Sequence, residues 1–169
     1  MSTKSPLSTA DDVQFFEVGS SHGESLAELL KENNVPAVTR TFNPFPMSAE
    51  TALKIAHLPR RDRYYGASLE GKMIGLSMLR GWDEGYSVPS FGIIVDHRFH
   101  NLGVGSRMLD FTIEQARVLG CSRVRLTVYS SNSPAVRLYK TRGFVECARE
   151  NVVLMSKPDE RVEMILELN

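Results

Sequence analysis

An excess of charge of either sign is missing from this sequence. Lys plus Arg and Asp plus Glu number 20 each, so no net field draws the chain toward nucleic acid or an anionic lipid surface, and any anion it binds must be held locally. Cysteine is scarce. Cys121 and Cys147 are the only two, with no metal-ligand spacing and too few for a disulfide framework, which points to a reducing, cytoplasmic setting. No stretch approaches the roughly 18 apolar residues of a membrane span, and no long apolar run follows the polar start. A Gly-x4-Gly-Lys-Ser/Thr phosphate loop is lacking, and Met108 stands where a dinucleotide fingerprint would carry its third glycine. His97 and His100 have no metal partner and lie where a polar turn would expose them. The absences leave a chain expected to be cytoplasmic, to hold no metal, and to engage neither nucleic acid nor a membrane.

What is present suits one compact domain. The 169 residues are 42% hydrophobic and 24% charged, enough for a sizeable core over 13–169, with the Ser-, Thr- and Asp-rich residues 1–12 frayed. Phe15, Phe16 and Val18 mark a first strand. Leu26, Leu29 and Leu30 recur with helical period until Asn33, Asn34 and Pro36 end the run. Residues 37–48 hold Phe42, Pro44, Phe45 and Pro46 and are too broken for a regular element; they are either a surface segment packed on the core or part of an acceptor wall. Ser48 is placed to cap a helix containing Thr51, Ala52 and Ile55.

Strand patterning then takes over, with a hairpin over 65–79 turning at Glu70, Gly71 and Lys72. A looser segment, 81–89, leads to the β-branched strand 91–95. After a polar turn, Gly103 and Gly105 open a helix whose Leu109, Ile113, Ala116 and Leu119 share a face and which Gly120 closes. Such a strand, turn and glycine-opened helix form a backbone anion site, because the first helical N–H groups lack partners and the glycines admit a ligand. Residues 124–129 alternate Arg with apolar side chains, so strands 91–95 and 124–129 are expected to be parallel across a βαβ crossover. Pro134 starts a further helix capped by Asn132 or Ser133 and ended by Gly143. Two antiparallel strands, 144–155 and 161–168, are expected to flank a turn at Lys157, Pro158, Asp159 and Glu160. The cysteines read as small buried hydrophobes.

Taken together, Asp96 to Gly105, the helix after it, and then Asn132, Ala135, Leu138, Tyr139, Gly143 and Phe144 resemble the acyl-CoA core of the GCN5-related N-acetyltransferase (GNAT) superfamily. That family's loop reads Arg or Gln, two residues, Gly, one residue, Gly or Ala; its later element reads Asn, two residues, Ala, two residues, Leu-Tyr, ending in Gly-Phe. Gly103 and Gly105 match the first, and the later element matches throughout. His100 departs, standing where Arg or Gln is usual, with Arg98 two residues earlier. The resemblance is close over 91–147. It implies an α/β (α+β) fold: a mixed, mostly antiparallel seven-stranded sheet with one parallel βαβ crossover and about four helices.

The resemblance also implies acetyl-CoA as co-substrate, held by Ile94, Val95, His100, Asn101, Leu102, Gly103, Val104, Gly105, Ser106, Asn132 and Tyr139. Tyr139 is implied as proton donor to the departing thiolate, and a backbone N–H near Ile94 or Val95 as the oxyanion contact. A homodimer follows by analogy only. An aliphatic amine with a pKa near roughly 10 must lose a proton before attack. Strand 91–95 carries no carboxylate, so Asp83, Glu84 and Tyr86 in the preceding loop stand as candidate bases. The Asp83–Glu84 pair suits a cationic amine, and Phe42, Phe45, Trp82 and Tyr86 suit a stacking wall. The leading expectation is N-acetylation of a small-molecule primary amine, such as an amino sugar or sugar nucleotide. The alternatives are acetylation of a protein Lys or N-terminus, and a non-catalytic acetyl-CoA sensor.

Overall fold

The computed structural model describes residues 10–168; of the frayed segment expected at 1–12, residues 1–9 lie outside them. Seven strands form one sheet in the order β1-β2-β3-β4-β5-β7-β6. They are β1 (Gln14–Glu17), β2 (Arg63–Leu69), β3 (Lys72–Arg80), β4 (Ser90–Val95), β5 (Arg123–Tyr129), β6 (Val145–Leu154) and β7 (Lys157–Glu167). Every neighbouring pair is antiparallel except β4 and β5, which are parallel. The helix α4 (Val104–Val118) makes the crossover between those two, as the alternating and helical periods of 91–129 require.

Helices cover both faces. On one face α4 buries Met108, Leu109, Ile113 and Ala116, and with α5 (Ser133–Thr141) it packs a core containing Leu79, Phe91, Val124, Leu126, Val128 and Phe144. On the other, α1 (Gly23–Glu32) and α3 (Ala49–His57) bury Leu26, Leu29, Leu30 and Ile55 against Leu76, Met78 and Ile94. Each fully buried leucine contributes about 2 kcal/mol of transfer free energy. Ser48 Oγ accepts the Thr51 N–H at 3.2 Å, fixing the start of α3 as its sequence indicates.

Two local expectations fail. The segment expected to be irregular includes a short helix, α2 (Pro36–Thr39), started by Pro36 and secured by the Thr39 hydroxyl donating to the Val35 carbonyl at 3.1 Å. Pro36 therefore opens an element as well as closing the one before it. The last hairpin turns at Met155 and Ser156, both left-handed at φ 50° and 64°, and not at 157–160. Pro158 instead pairs with Val153 in the ladder. It can do so because the β5 ladder stops at Tyr129↔Arg161, so the N–H that proline lacks has no β5 partner to serve. No helix among the described residues is long and apolar enough to cross a membrane.

Candidate functional site

The turn from β4 into α4 is built around Asp96. Its carboxylate is buried, accepts the Arg98 N–H and Nε at 3.0 Å each, and pairs with Arg98 Nη2 at 2.6 Å. Burial alone would raise its pKa, but Arg98 and the Asn33 contact outweigh this and pull it down to about 2. Arg98 reaches Glu32 of α1 at 2.5 Å, and the His97 N–H donates to Asn33 Oδ1 at 3.0 Å. His97 and Arg98 thus anchor the turn to α1.

Beyond this anchor the backbone turns sharply. Asn101 and Gly103 are left-handed at φ 65° and 74°, with Leu102 between them, an alternation that turns successive N–H groups inward. Gly103 is the N-cap of α4, and nothing lies within 4 Å of a Cβ built on it. Val104, Gly105 and Ser106 form the first turn, whose N–H groups have no intrahelical acceptor. Val104 is buried, and Ser106 Oγ is held by Arg142, which also pairs with Asp110 at 2.8 Å. His100 folds back so that Nε2 lies 3.2 Å from the Val95 carbonyl. The donors that this turn presents are therefore main-chain groups, with His100 turned back onto the Val95 carbonyl where Arg or Gln is usual.

The parallel strands touch at one registered pair, Ser90↔Arg125, and carry no ladder beyond it. Meanwhile β4 stays paired with β3 through Val95, and β5 with β7 through Tyr129. A wedge opens between them, edged by the β4 backbone that includes Ile94 and Val95. Tyr139 stands on the α4 side of this wedge, 7% exposed. Its ring meets Phe91 and Phe144 edge-on at 6.1 and 5.7 Å, and burial pushes its hydroxyl up to about 12, so the phenol is neutral at physiological pH. Asn132 precedes α5 but makes no side-chain cap; its N–H donates to the Tyr129 carbonyl at 2.9 Å. It shares a cleft of about 820 Å³ with His100, Arg40, Met155 and Lys157.

A second cleft, about 430 Å³, adjoins the first at Thr41, and its walls include Phe42, Arg80, Glu84, Gly92, Arg125 and Thr127. A Cβ on Gly92 would come within 3.1 Å of Met78 Cγ, so glycine keeps the cleft floor low. Residues 41–44 contribute to this cleft, which places the broken segment on a cleft wall.

The candidate bases are separated. Asp83 turns to accept the Arg61 and Asp62 N–H groups at 2.7 and 3.2 Å. The Arg61 N–H leads in drawing its pKa down, against a smaller opposing effect of burial. Glu84 lines the cleft and approaches Arg80 at 4.0 Å, and Tyr86 lies under the Arg125 guanidinium at 5.0 Å. The four aromatics do not form one wall. Phe42 and Phe45 meet edge-on, Arg80 covers Phe45, and Trp82 lines a separate cleft with Arg61 and Cys121. Arg80 and Arg125 were not singled out by sequence reasoning; the alternation of 124–129, which puts Arg125 opposite the apolar Val124, Leu126 and Val128, was the available signal. Cys121 is half-buried but Cys147 is exposed, so only the first fits the expectation of an enclosed small hydrophobe.

Residues 24–144 match the model of the acetyltransferase (GNAT) family. The chain is 43% identical over 58 residues to the L-amino acid N-acetyltransferase AaaT of Escherichia coli, covering 34% of this chain and 36% of that protein. It is 29% identical over 104 residues to an N-alpha-acetyltransferase of Sulfurisphaera tokodaii, covering 54% and 62%. The matches thus span about a third and somewhat under two thirds of those relatives' lengths. The fold resembles that of Salmonella typhimurium yncA, solved with its cofactor acetyl-CoA, at TM-score 0.76 and 17% identity over 94% of this chain and 95% of the other.

Proposed function

The chain belongs to the acetyltransferase (GNAT) family, and from that premise we propose that it moves the acetyl group of acetyl-CoA onto the primary amine of a small molecule by direct attack. The observation that carries this reading is the wedge that opens beyond Ser90↔Arg125 and leads to the Gly103-opened start of α4. The wedge and cradle fit the co-substrate's chemistry: free strand edges for a pantetheine arm with amide groups, and unpaired N–H groups for a diphosphate.

In the proposed reaction the amine enters from the cleft face. Glu84 is the carboxylate on that cleft and takes the ammonium proton, directly or through a water. The amine lone pair forms the new C–N bond at the thioester carbonyl, whose oxygen is met by the β4 backbone N–H of Val95, since the register turns that of Ile94 toward β3. The C–S bond then breaks. Tyr139, protonated at physiological pH, donates to the departing sulfur and recovers a proton from solvent or from the still-protonated nitrogen of the new amide. Asp83, already engaged by two main-chain donors, shapes the loop that carries Glu84.

AaaT, the matched relative of Escherichia coli, is an L-amino acid N-acetyltransferase, in keeping with a small acceptor. The match to an N-alpha-acetyltransferase over 104 residues favours a second reading, acetylation of a protein N-terminus. Thiol release from acetyl-CoA should be measured with free amino acids, amino sugars, polyamines and short peptides. Release with small amines alone is expected. Release with peptides alone would favour the second reading, and thermal protection by acetyl-CoA without release would make the chain a sensor.

A further inference from the structure

We infer, building on the proposed transferase reading, that the acceptor is an amine bearing a carboxylate and that Arg80 and Arg125 bind that carboxylate. Arg80 pairs with Ser90 across β3 and β4, and Ser90 with Arg125 across β4 and β5. Cross-strand partners share a face, so the two arginines flank Ser90 in one row on the cleft side, at the apex of the wedge where the strands part.

Their ion pairing is unlike that of the protein's other paired arginines. Among the described residues Arg63, Arg98, Arg117, Arg123, Arg142, Arg149 and Arg161 all lie within 3.4 Å of a carboxylate. Arg80 and Arg125 reach theirs, Glu84 and Glu163, only at 4.0 and 3.9 Å, beyond hydrogen-bonding distance. Arg80 Nε, like Arg60 Nε and Arg107 Nη1, is buried with no hydrogen-bond partner among the protein's own groups.

Both guanidinium groups are nevertheless held. Arg80 lies over Phe45 at 5.5 Å and donates to the Pro44 carbonyl at 3.3 Å, and Arg125 lies over Tyr86 at 5.0 Å. An aromatic face restrains a guanidinium plane while its N–H edge remains free for a planar, two-oxygen anion. Phe45 and Tyr86 therefore orient cations, which accounts for aromatic residues in these loops without a sugar to stack on them. Arg161 also lines the cleft, but Glu150 neutralises it. Of the cleft's charged walls only Glu84 is acidic, and it is free to take the proton from an amine whose carboxylate the arginines hold. A cleft of about 430 Å³ suits a molecule of amino-acid size.

The test compares each of the common L-amino acids with its carboxamide in two assays: kcat/KM for thiol release with saturating acetyl-CoA, and thermal protection in the presence of CoA. Acids are expected to exceed their amides at least 30-fold in kcat/KM for the best acceptors. Arg80→Gln and Arg125→Gln should each remove most of that preference through KM while leaving acetyl-CoA affinity within 3-fold of wild type. Arg123→Gln, on the same strand but paired with Glu167, should retain it. Equal turnover of acids and amides overturns the inference and leaves the transferase reading standing. If no amine is acetylated, the transferase reading fails; thermal protection by acids and not by amides would still support the carboxylate site, and protection by neither would overturn it.

Discussion

Gly103 and Gly120 provide a matched pair for testing the anion cradle, because they bound the same helix at its two ends. Both are left-handed, at φ 74° and 78°, and nothing lies within 4 Å of a Cβ built on either. An aspartate at either position therefore costs about 1 kcal/mol of backbone strain and meets no steric clash. The helix dipole separates them slightly: a carboxylate gains about 0.5 kcal/mol near the N-terminus and loses about as much near the C-terminus. Gly103→Asp should thus be the more stable variant, with Tm about 2–4 °C above that of Gly120→Asp. Cofactor affinity should run the other way. A carboxylate about 5 Å from a diphosphate carrying two negative charges costs about 2 kcal/mol even at the dielectric of water, or roughly 30-fold in Kd. Calorimetric titration with acetyl-CoA, paired with thermal unfolding, reads both orders at once. At about 1 M salt, where the screening length falls to about 3 Å, the affinity gap should narrow. Equal acetyl-CoA affinity in the two variants would refute the cradle at the start of α4.

Three further outcomes are expected. Tyr139→Phe keeps the ring packed on Phe91 and Phe144 and removes only the hydroxyl, so kcat should fall about 100-fold with acetyl-CoA Kd nearly unchanged; parallel losses in steady-state kinetics and binding would make the residue structural. Glu84→Gln should lower kcat/KM at pH 7 by about 10- to 100-fold and lose less as pH approaches the pKa of the free amine, since the amine then arrives deprotonated; a pH–rate profile parallel to wild type would rule Glu84 out as base. Asp96, held at about 2 against an ordinary 3.8, contributes stability that is fully present above about pH 4 and is lost as pH falls toward 2. The difference corresponds to at most about 2 kcal/mol, reduced to about 1 because Arg98 is half exposed; Asp96→Asn should flatten the acid limb of a Tm-against-pH curve, and an unchanged limb would assign it elsewhere.

Sequence periodicity carried the succession of strands along the chain and the parallel crossover because period-2 and helical patterns report which face is buried, and 91–129 switches cleanly between them. The glycine-opened start of α4 was legible for a related reason: Gly103 meets a local backbone requirement, a left-handed N-cap, that does not depend on the rest of the fold. Long-range pairing was less accessible. Asp83 and Glu84 are adjacent in sequence, yet one is engaged by the main chain of 61–62 and the other faces the cleft, an outcome set by residues about 20 positions away. Arg80 and Arg125 become neighbours of Ser90 only through two different strand pairings. The last turn was misplaced because Pro158 is a turn residue by propensity, whereas the early end of the β5 ladder lets it sit in a strand.

Hydrogen exchange of the protein with and without acetyl-CoA tests the central claim most directly. Amides of Ile93 and Val95, which alternate with the groups bonded to β3 and so face the free edge of β4, and of 103–106 at the start of α4 should slow together on addition of acetyl-CoA, while those of the distant β1–β2 pair stay unchanged. Protection confined to other regions, or none at 103–106, would contradict an acetyl-CoA site in the wedge and its cradle.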